Sequence, residues 1–268
     1  MGTHIDISRV RYSGERAASG VLLAAAVIAL VLLIISVVGA IYVALFVVFQ
    51  FFASRVAIGQ IRANGIKVQP DQYPEIYRMV VDYVESLQLS KAPEVYIVQS
   101  SVMNAFAAKV ARKRFVVLFS EIVDVCLQEG DHAQLGMIIG HEMGHHAANH
   151  VRWHQFLILG IWVPFLYQFW SRRAEYTADR IGLLCTNNLG ASQRGLVKLM
   201  AGKKLAATVN YEALLRQRDE VMQSWWVRFA EVVATHPHLV RRVFELERYT
   251  AEARLSIPPV EEGFNKAV

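Results

Sequence analysis

The chain has 268 residues, 54% of them hydrophobic, with 28 basic against 23 acidic side chains and a formal net charge of +5. That length holds one or two ordinary domains, and the apolar fraction exceeds the roughly 45–50% of soluble proteins. The basic excess is modest and mixed with acids along the chain. Its longest cluster, "ARKR" at 111–114, reads as a solvated turn, so the pattern excludes nucleic acid as a partner. The two cysteines, Cys126 and Cys185, lack CxxC spacing and exclude a disulfide framework or a thiolate metal site.

The apolar excess sits near the start, where "SGVLLAAAVIALVLLIISVVGAIYVALFVVFQFFAS" runs from Ser19 to Ser54 without a charged side chain. A helix crosses a bilayer in about 20 apolar residues, so this run suffices for one crossing or two short ones. A secretory signal is the competing reading, but its apolar core spans only about 7–15 residues. Arg9, Arg11 and Arg16 precede the run, and Arg55, Arg62 and Lys67 follow it. The positive-inside tendency is satisfied at both ends by a hairpin that turns near Ser36 to Gly39 and keeps both flanks cytoplasmic. The chain then divides into a basic tail (1–17), a transmembrane helix or helical hairpin (18–56) and a cytoplasmic-side domain (57–268).

After a polar connector with Gly65, Pro70 and Pro74, the apolar residues Ile76, Val80, Val84 and Leu87 recur at helical spacing. Proline suits the first turn of such a helix, which ends before Pro93. Three short β-type stretches follow, "EVYIV" (94–98), "NAFAAKV" (104–110) and "FVVLF" (115–119), predicting a small antiparallel sheet. From Glu121 onward the pattern is helical, so the fold class is α+β and mainly helical. "FLILGIWVPFLYQFW" (156–170) is short for a crossing and contains Pro164; with Trp162, Tyr167 and Trp170 it reads as packing on the membrane face.

Five histidines fall between positions 138 and 154. Placed on one continuous helix from 132 to 150, His141 and His145 lie about 40° apart and can reach one ion, with Glu142 about 100° from His141, beside the ion. There a carboxylate can take a proton from a water that the ion activates, which is the chemistry of HExxH on a helix. The same construction turns His146, His150 and His154 away by about 140°, 180° and 220°. Chance alone yields an HExxH in such a chain on the order of 1% of the time, so a third ligand is needed to complete the case. Ala148 and Val151 stand where a metzincin needs glycine and histidine. "SRRAEYTADRIG" (171–182) offers Glu175 as the third ligand, with Asp179 on the same face to orient a ligating histidine. The alternative for this segment is a charged helix face held by intrahelical ion pairs.

Taken together, "NAFAA" (104–108), "HEMGH" (141–145), "RRAEYTAD" (172–179) and "THP" (235–237), in that order, resemble the membrane-bound zinc metallopeptidases related to HtpX and the CAAX prenyl proteases. The resemblance runs from about Pro93 to Leu246. It implies a zincin-like peptidase of the gluzincin type with one zinc ion per chain, ligands His141, His145 and Glu175, and Glu142 as general base. It also implies that Asn104, Ala105 and Phe106 bind a polypeptide substrate as an added strand, and that His236 stabilises the oxyanion. The apolar segments are fewer than in the largest such enzymes, which argues against a closed intramembrane chamber. The expected function is a membrane-anchored endopeptidase in protein quality control, with the lipid bilayer as its second partner. The rivals are a catalytically silent adaptor or chaperone-like module that keeps the fold, and a zinc hydrolase of small amides or esters.

Overall fold

The computed structural model describes residues 4–100, 104–110, 113–128, 130, 132–206 and 208–257. A short helix α1 (Ile7–Val10) leads into two long apolar helices, α2 (Glu15–Ile35) and α3 (Val37–Asn64). Ser36 breaks them apart with extended backbone, and its hydroxyl accepts the Gly39 N–H to start α3. Gly39 is required at this turn, because a Cβ there would lie 2.3 Å from the Leu33 carbonyl oxygen. At about 1.5 Å per residue both helices exceed the ~30 Å hydrocarbon core of a bilayer. Each is long and apolar enough to cross a membrane. Their outer apolar side chains, among them Leu32, Ile35, Val37 and Phe49, stand exposed, as on a lipid-facing surface rather than in a core.

The chain then forms β1 (Gly65–Lys67), α4 (Pro74–Ser86), β2 (Glu94–Val98), β3 (Ala105–Val110) and β4 (Lys113–Phe119). Pro74 opens α4 as expected. The sheet differs from expectation in two ways: it has a fourth strand, β1, and it is mixed rather than antiparallel, in the order β1-β2-β4-β3. β4 lies between β2, to which it is parallel, and β3, to which it is antiparallel. Composition explains the order: Phe115 to Leu118 are all but inaccessible to solvent, so the most apolar strand takes the flanked position. The half-exposed β3 is left at the edge. Ala111 and Arg112, part of the basic turn expected between β3 and β4, lie outside the described residues.

Helices complete the chain: α5 (Ser120–Gln128), α6 (His132–Ala147), α7 (His150–Leu157), α8 (Leu166–Thr186), α9 (Leu189–Ala206), α10 (Tyr211–Gln223), α11 (Trp225–Val233) and α12 (Leu239–Glu252). One core joins the sheet to α4, α5 and α6, and a second joins α9, α10 and α12. Cys126 is buried in the first core and Cys185 packs half-buried against it, with no disulfide between them. A third cluster, with Leu22, Leu157, Tyr167 and Trp170, seats α2 on α7 and α8. The 156–170 segment is no single helix. It ends α7, passes through a 3-10 turn at Ile158–Gly160 and a bend, and starts α8. It is fastened to α2, where the Trp162 indole N–H donates to the Ala25 carbonyl at 3.3 Å. Phe156, Ile161, Trp162 and Phe165 remain exposed.

Candidate metal centre

Helices α6 and α8 cross at glycines. A Cβ on Gly140 would lie 3.0 Å from the Gly182 Cα, one on Gly144 3.1 Å from Ile181, and one on Gly182 2.6 Å from the Met137 sulfur. This near-contact of backbones lets short side chains on the two helices share one ion. His141 Nε2 lies 3.2 Å from His145 Nε2, and the Glu175 carboxylate lies 3.5 Å from the first and 3.4 Å from the second. Ligands about 2.0–2.1 Å from a tetrahedral ion are separated by about 3.3–3.4 Å, close to the separations of the two nitrogens from each other and from the nearer carboxylate oxygen of Glu175, Oε2 for His141 and Oε1 for His145. Among the described residues they form the one three-member group of potential metal ligands found.

Asp179 lies one turn beyond Glu175 and accepts from His141 Nδ1 at 2.9 Å, which fixes the tautomer with the Nε2 lone pair directed at the ligand cluster. The surroundings favour positive charge. Burial disfavours an imidazolium at His141, yet Asp179 and Glu175 outweigh it and push its pKa up to about 10. Burial would likewise raise the Glu175 pKa, but His141, His145 and Arg242 hold it well below the usual carboxylate range. Two nitrogens and an anionic oxygen, all buried or nearly so, suit a divalent ion of zinc type, whose charge can replace that of the proton on His141. Glu142 is buried in the same cavity, and burial raises its pKa above that of a free glutamate.

The cavity holds about 930 Å3 and is lined by Asn104 and β3 from Ala105 to Val110, by the α3 residues Ala57, Ile58 and Ile61, and by the three potential ligands. Asn104, Ala105 and Phe106 therefore face the same space as His141, along the unpaired edge of β3. His236 also lines the cavity, with its ring exposed at the rim and Nε2 3.8 Å from Glu175. Its Nδ1 lies 3.0 Å from the Thr235 hydroxyl.

His146 behaves as a structural residue: its buried ring bonds the Phe115 carbonyl at 2.9 Å through Nε2, and burial lowers its pKa to about 4. His154 packs edge-on against Tyr167. His150 corrects the helical construction. Asn149 adopts the left-handed conformation (φ 62°), which ends α6 and restarts the chain as α7 in a new direction. His150 therefore turns back, with Nδ1 3.0 Å from His145 Nδ1, behind the ligand cluster rather than on the far side of the helix. Its Nε2 meets Glu15 Oε1 at 3.1 Å.

Two participants were invisible to motif reasoning. Arg242 on α12 grips Asp179 and approaches Glu175 to 3.5 Å. Glu15, the first residue of α2, is 1% exposed. An acidic residue between Arg11 and Arg16, just ahead of the apolar run, was the available signal for Glu15; Arg242 offered none beyond being one of many arginines.

A sequence profile described as Peptidase family M48 matches residues 70–167 and 152–250, more than half of the chain. The chain belongs to peptidase family M48. Over 211 residues it is 28% identical to the "Plastoglobule-localized metallopeptidase 48, chloroplastic" of Arabidopsis thaliana, covering 70% of this chain and 60% of that protein. Over 221 residues it is 21% identical to the "Protease HtpX homolog" of Helicobacter pylori (strain Shi470), covering 68% of this chain and 69% of that protein. It thus spans less than two thirds of the first of these relatives. No solved structure matches the chain. The M48 match begins at residue 70, so α2, α3 and Glu15 lie outside it, whereas His141, Glu142, His145, Glu175, Asp179, His236 and Arg242 lie within.

Proposed function

We propose that this M48 protein is a membrane-anchored zinc endopeptidase that cleaves polypeptides at the bilayer surface as part of membrane-protein quality control. The observation that carries the reading is the tetrahedral spacing of His141, His145 and Glu175 in a cavity that also holds Glu142 and the free edge of β3. A zinc ion bound there would bring a water towards a pKa of about 7 and polarise a carbonyl.

The side chains supply the rest. Glu142 takes the proton of the attacking water and returns it to the departing amine, and its raised pKa suits both transfers. Asp179 keeps His141 in the ligating tautomer. His236, exposed at the rim, donates a hydrogen bond to the carbonyl oxygen as it gains charge. An extended peptide adds to the edge of β3 at Asn104, Ala105 and Phe106, which presents successive carbonyls to the cluster. Strand addition favours a polypeptide over a small ester.

Both ends of the α2–α3 hairpin adjoin the domain and both carry basic residues, which supports a cytoplasmic placement of the domain. Because α3 forms one wall of the cavity, the substrates reached most readily are those already at the membrane. The test is cleavage of a panel of unfolded proteins and small esters by the purified full chain in detergent. The reading requires proteolysis that a zinc chelator stops and added zinc restores; cleavage indifferent to the chelator would refute it.

A further inference from the structure

The two histidines of the cluster are held differently. His141 has its own carboxylate, Asp179, in direct contact. Among the described residues no carboxylate meets His145 Nδ1; this nitrogen faces the ring of His150, and the ring of His150 faces Glu15. With His145 Nε2 directed at the other ligands, its Nδ1 must carry the proton and donate to His150 Nδ1. His150 then carries its proton on Nε2 and donates to Glu15. This is the single arrangement of neutral tautomers that satisfies both contacts.

From this geometry we infer that Glu15 and His150 are positioning residues for the metal centre, so that the first residue of a membrane helix orients the His145 ligand through a two-histidine chain. The inference rests on the metal assignment proposed above.

The surroundings of Glu15 are built to keep it ionised and fixed. Its carboxylate accepts from the Arg11 guanidinium and from the Thr177 hydroxyl. Thr177 in turn accepts the Tyr12 N–H at 2.9 Å, and Arg11 donates to the Ala148 carbonyl at 2.6 Å, next to the Asn149 turn that redirects His150. Removing a carboxylate from water is costly unless charge and hydrogen bonds offset it. The same oxygen, Oε1, meets both Arg11 and the His150 ring, so the seating of α2 and the orientation of His150 are coupled. The consequence is that the geometry of His145 depends on the docking of residues 11–15, which lie outside the M48 match.

The experiment uses the full chain in detergent, with Co2+ as the probe. Glu15→Gln and His150→Leu are each expected to weaken Co2+ binding about 10–100-fold and to shift its visible absorption bands. Because both act on one chain, the double variant should be no worse than the more severe single one. Glu245→Gln, which removes a partly buried carboxylate paired with Arg180 and Arg248, should leave affinity and spectrum unchanged. If Glu15→Gln fails to fold, His150→Leu, which keeps the Arg11–Glu15 pair, tests the same chain. Wild-type affinity and spectrum in His150→Leu, or in both variants, would overturn the inference and leave Glu15 as a clamp that holds α2 on the domain. A wild-type chain that binds no Co2+ would instead overturn the metal assignment, and this inference with it.

Discussion

Arg242 holds Asp179 through two hydrogen bonds, Nη2 to Oδ1 at 2.7 Å and Nε to Oδ2 at 2.8 Å, and so fixes the carboxylate that orients His141. Both side chains are buried. Arg242→Met would leave Asp179 charged, buried and half-satisfied, at a cost of about 3–5 kcal/mol. The thermal midpoint of the metal-free chain in detergent should fall accordingly, and the double variant Arg242→Met, Asp179→Asn should recover much of the loss. Equal destabilisation in the double variant would show that packing, not charge, is what Arg242 provides.

Glu142 is the proposed proton carrier and lies outside the three-member ligand group. Glu142→Gln should therefore lower the turnover of an unfolded protein substrate by about 10²–10⁴-fold or more, while zinc content stays that of the wild type. Loss of metal in this variant would make Glu142 a ligand rather than a base.

The contact of α6 with α8 makes its own prediction. A methyl at position 182 would meet the Met137 sulfur at 2.6 Å, the Met137 carbonyl oxygen at 2.8 Å and the His141 nitrogen at 3.1 Å. Two of these are backbone atoms that cannot swing aside, so Gly182→Ala should cost about 1–3 kcal/mol and weaken zinc binding by spreading Glu175 from the histidines. Gly59→Ala, where a Cβ meets nothing within 4 Å, is the control and should leave both properties unchanged. Calorimetry and metal titration of the two variants make the comparison.

Much of this site was legible in the sequence because helical periodicity is a local property. His141, His145, Glu175 and Asp179 each sit on an uninterrupted stretch of α6 or α8, and the contact between the two helices brings them close together. The construction went wrong where the backbone left the helix: one left-handed Asn149 reverses the direction in which His150 points. Asn after a helical run is a stop signal, so the break was readable in principle. The sheet was misjudged for a different reason. Three of the four strands match the expected segments within a residue or two and β1 does not, and pairing depends on which strand most needs burial on both sides, which depends on the helices packed above it. Arg242 and Glu15 were hidden because their partners lie 63 and 135 residues away.

The hairpin reading predicts a topology. Ser36 lies at the turn between α2 and α3, remote from the domain to which both outer ends return. A Ser36→Cys variant should react with an impermeant thiol reagent added from the periplasmic or luminal side, and a Ser90→Cys variant, on the domain, only after the membrane is opened. Labelling of both from the same side would rule out a spanning hairpin.

The proposed zinc site, two imidazoles on α6 and one carboxylate on α8, underlies the proposed function. It is tested most directly by metal analysis of the intact wild-type chain beside Glu175→Ala, each purified without added metal. The account predicts one zinc per wild-type chain and almost none in the variant, with both still folded by circular dichroism. Zinc retained in full by Glu175→Ala, or absent from a folded wild-type chain, would contradict it.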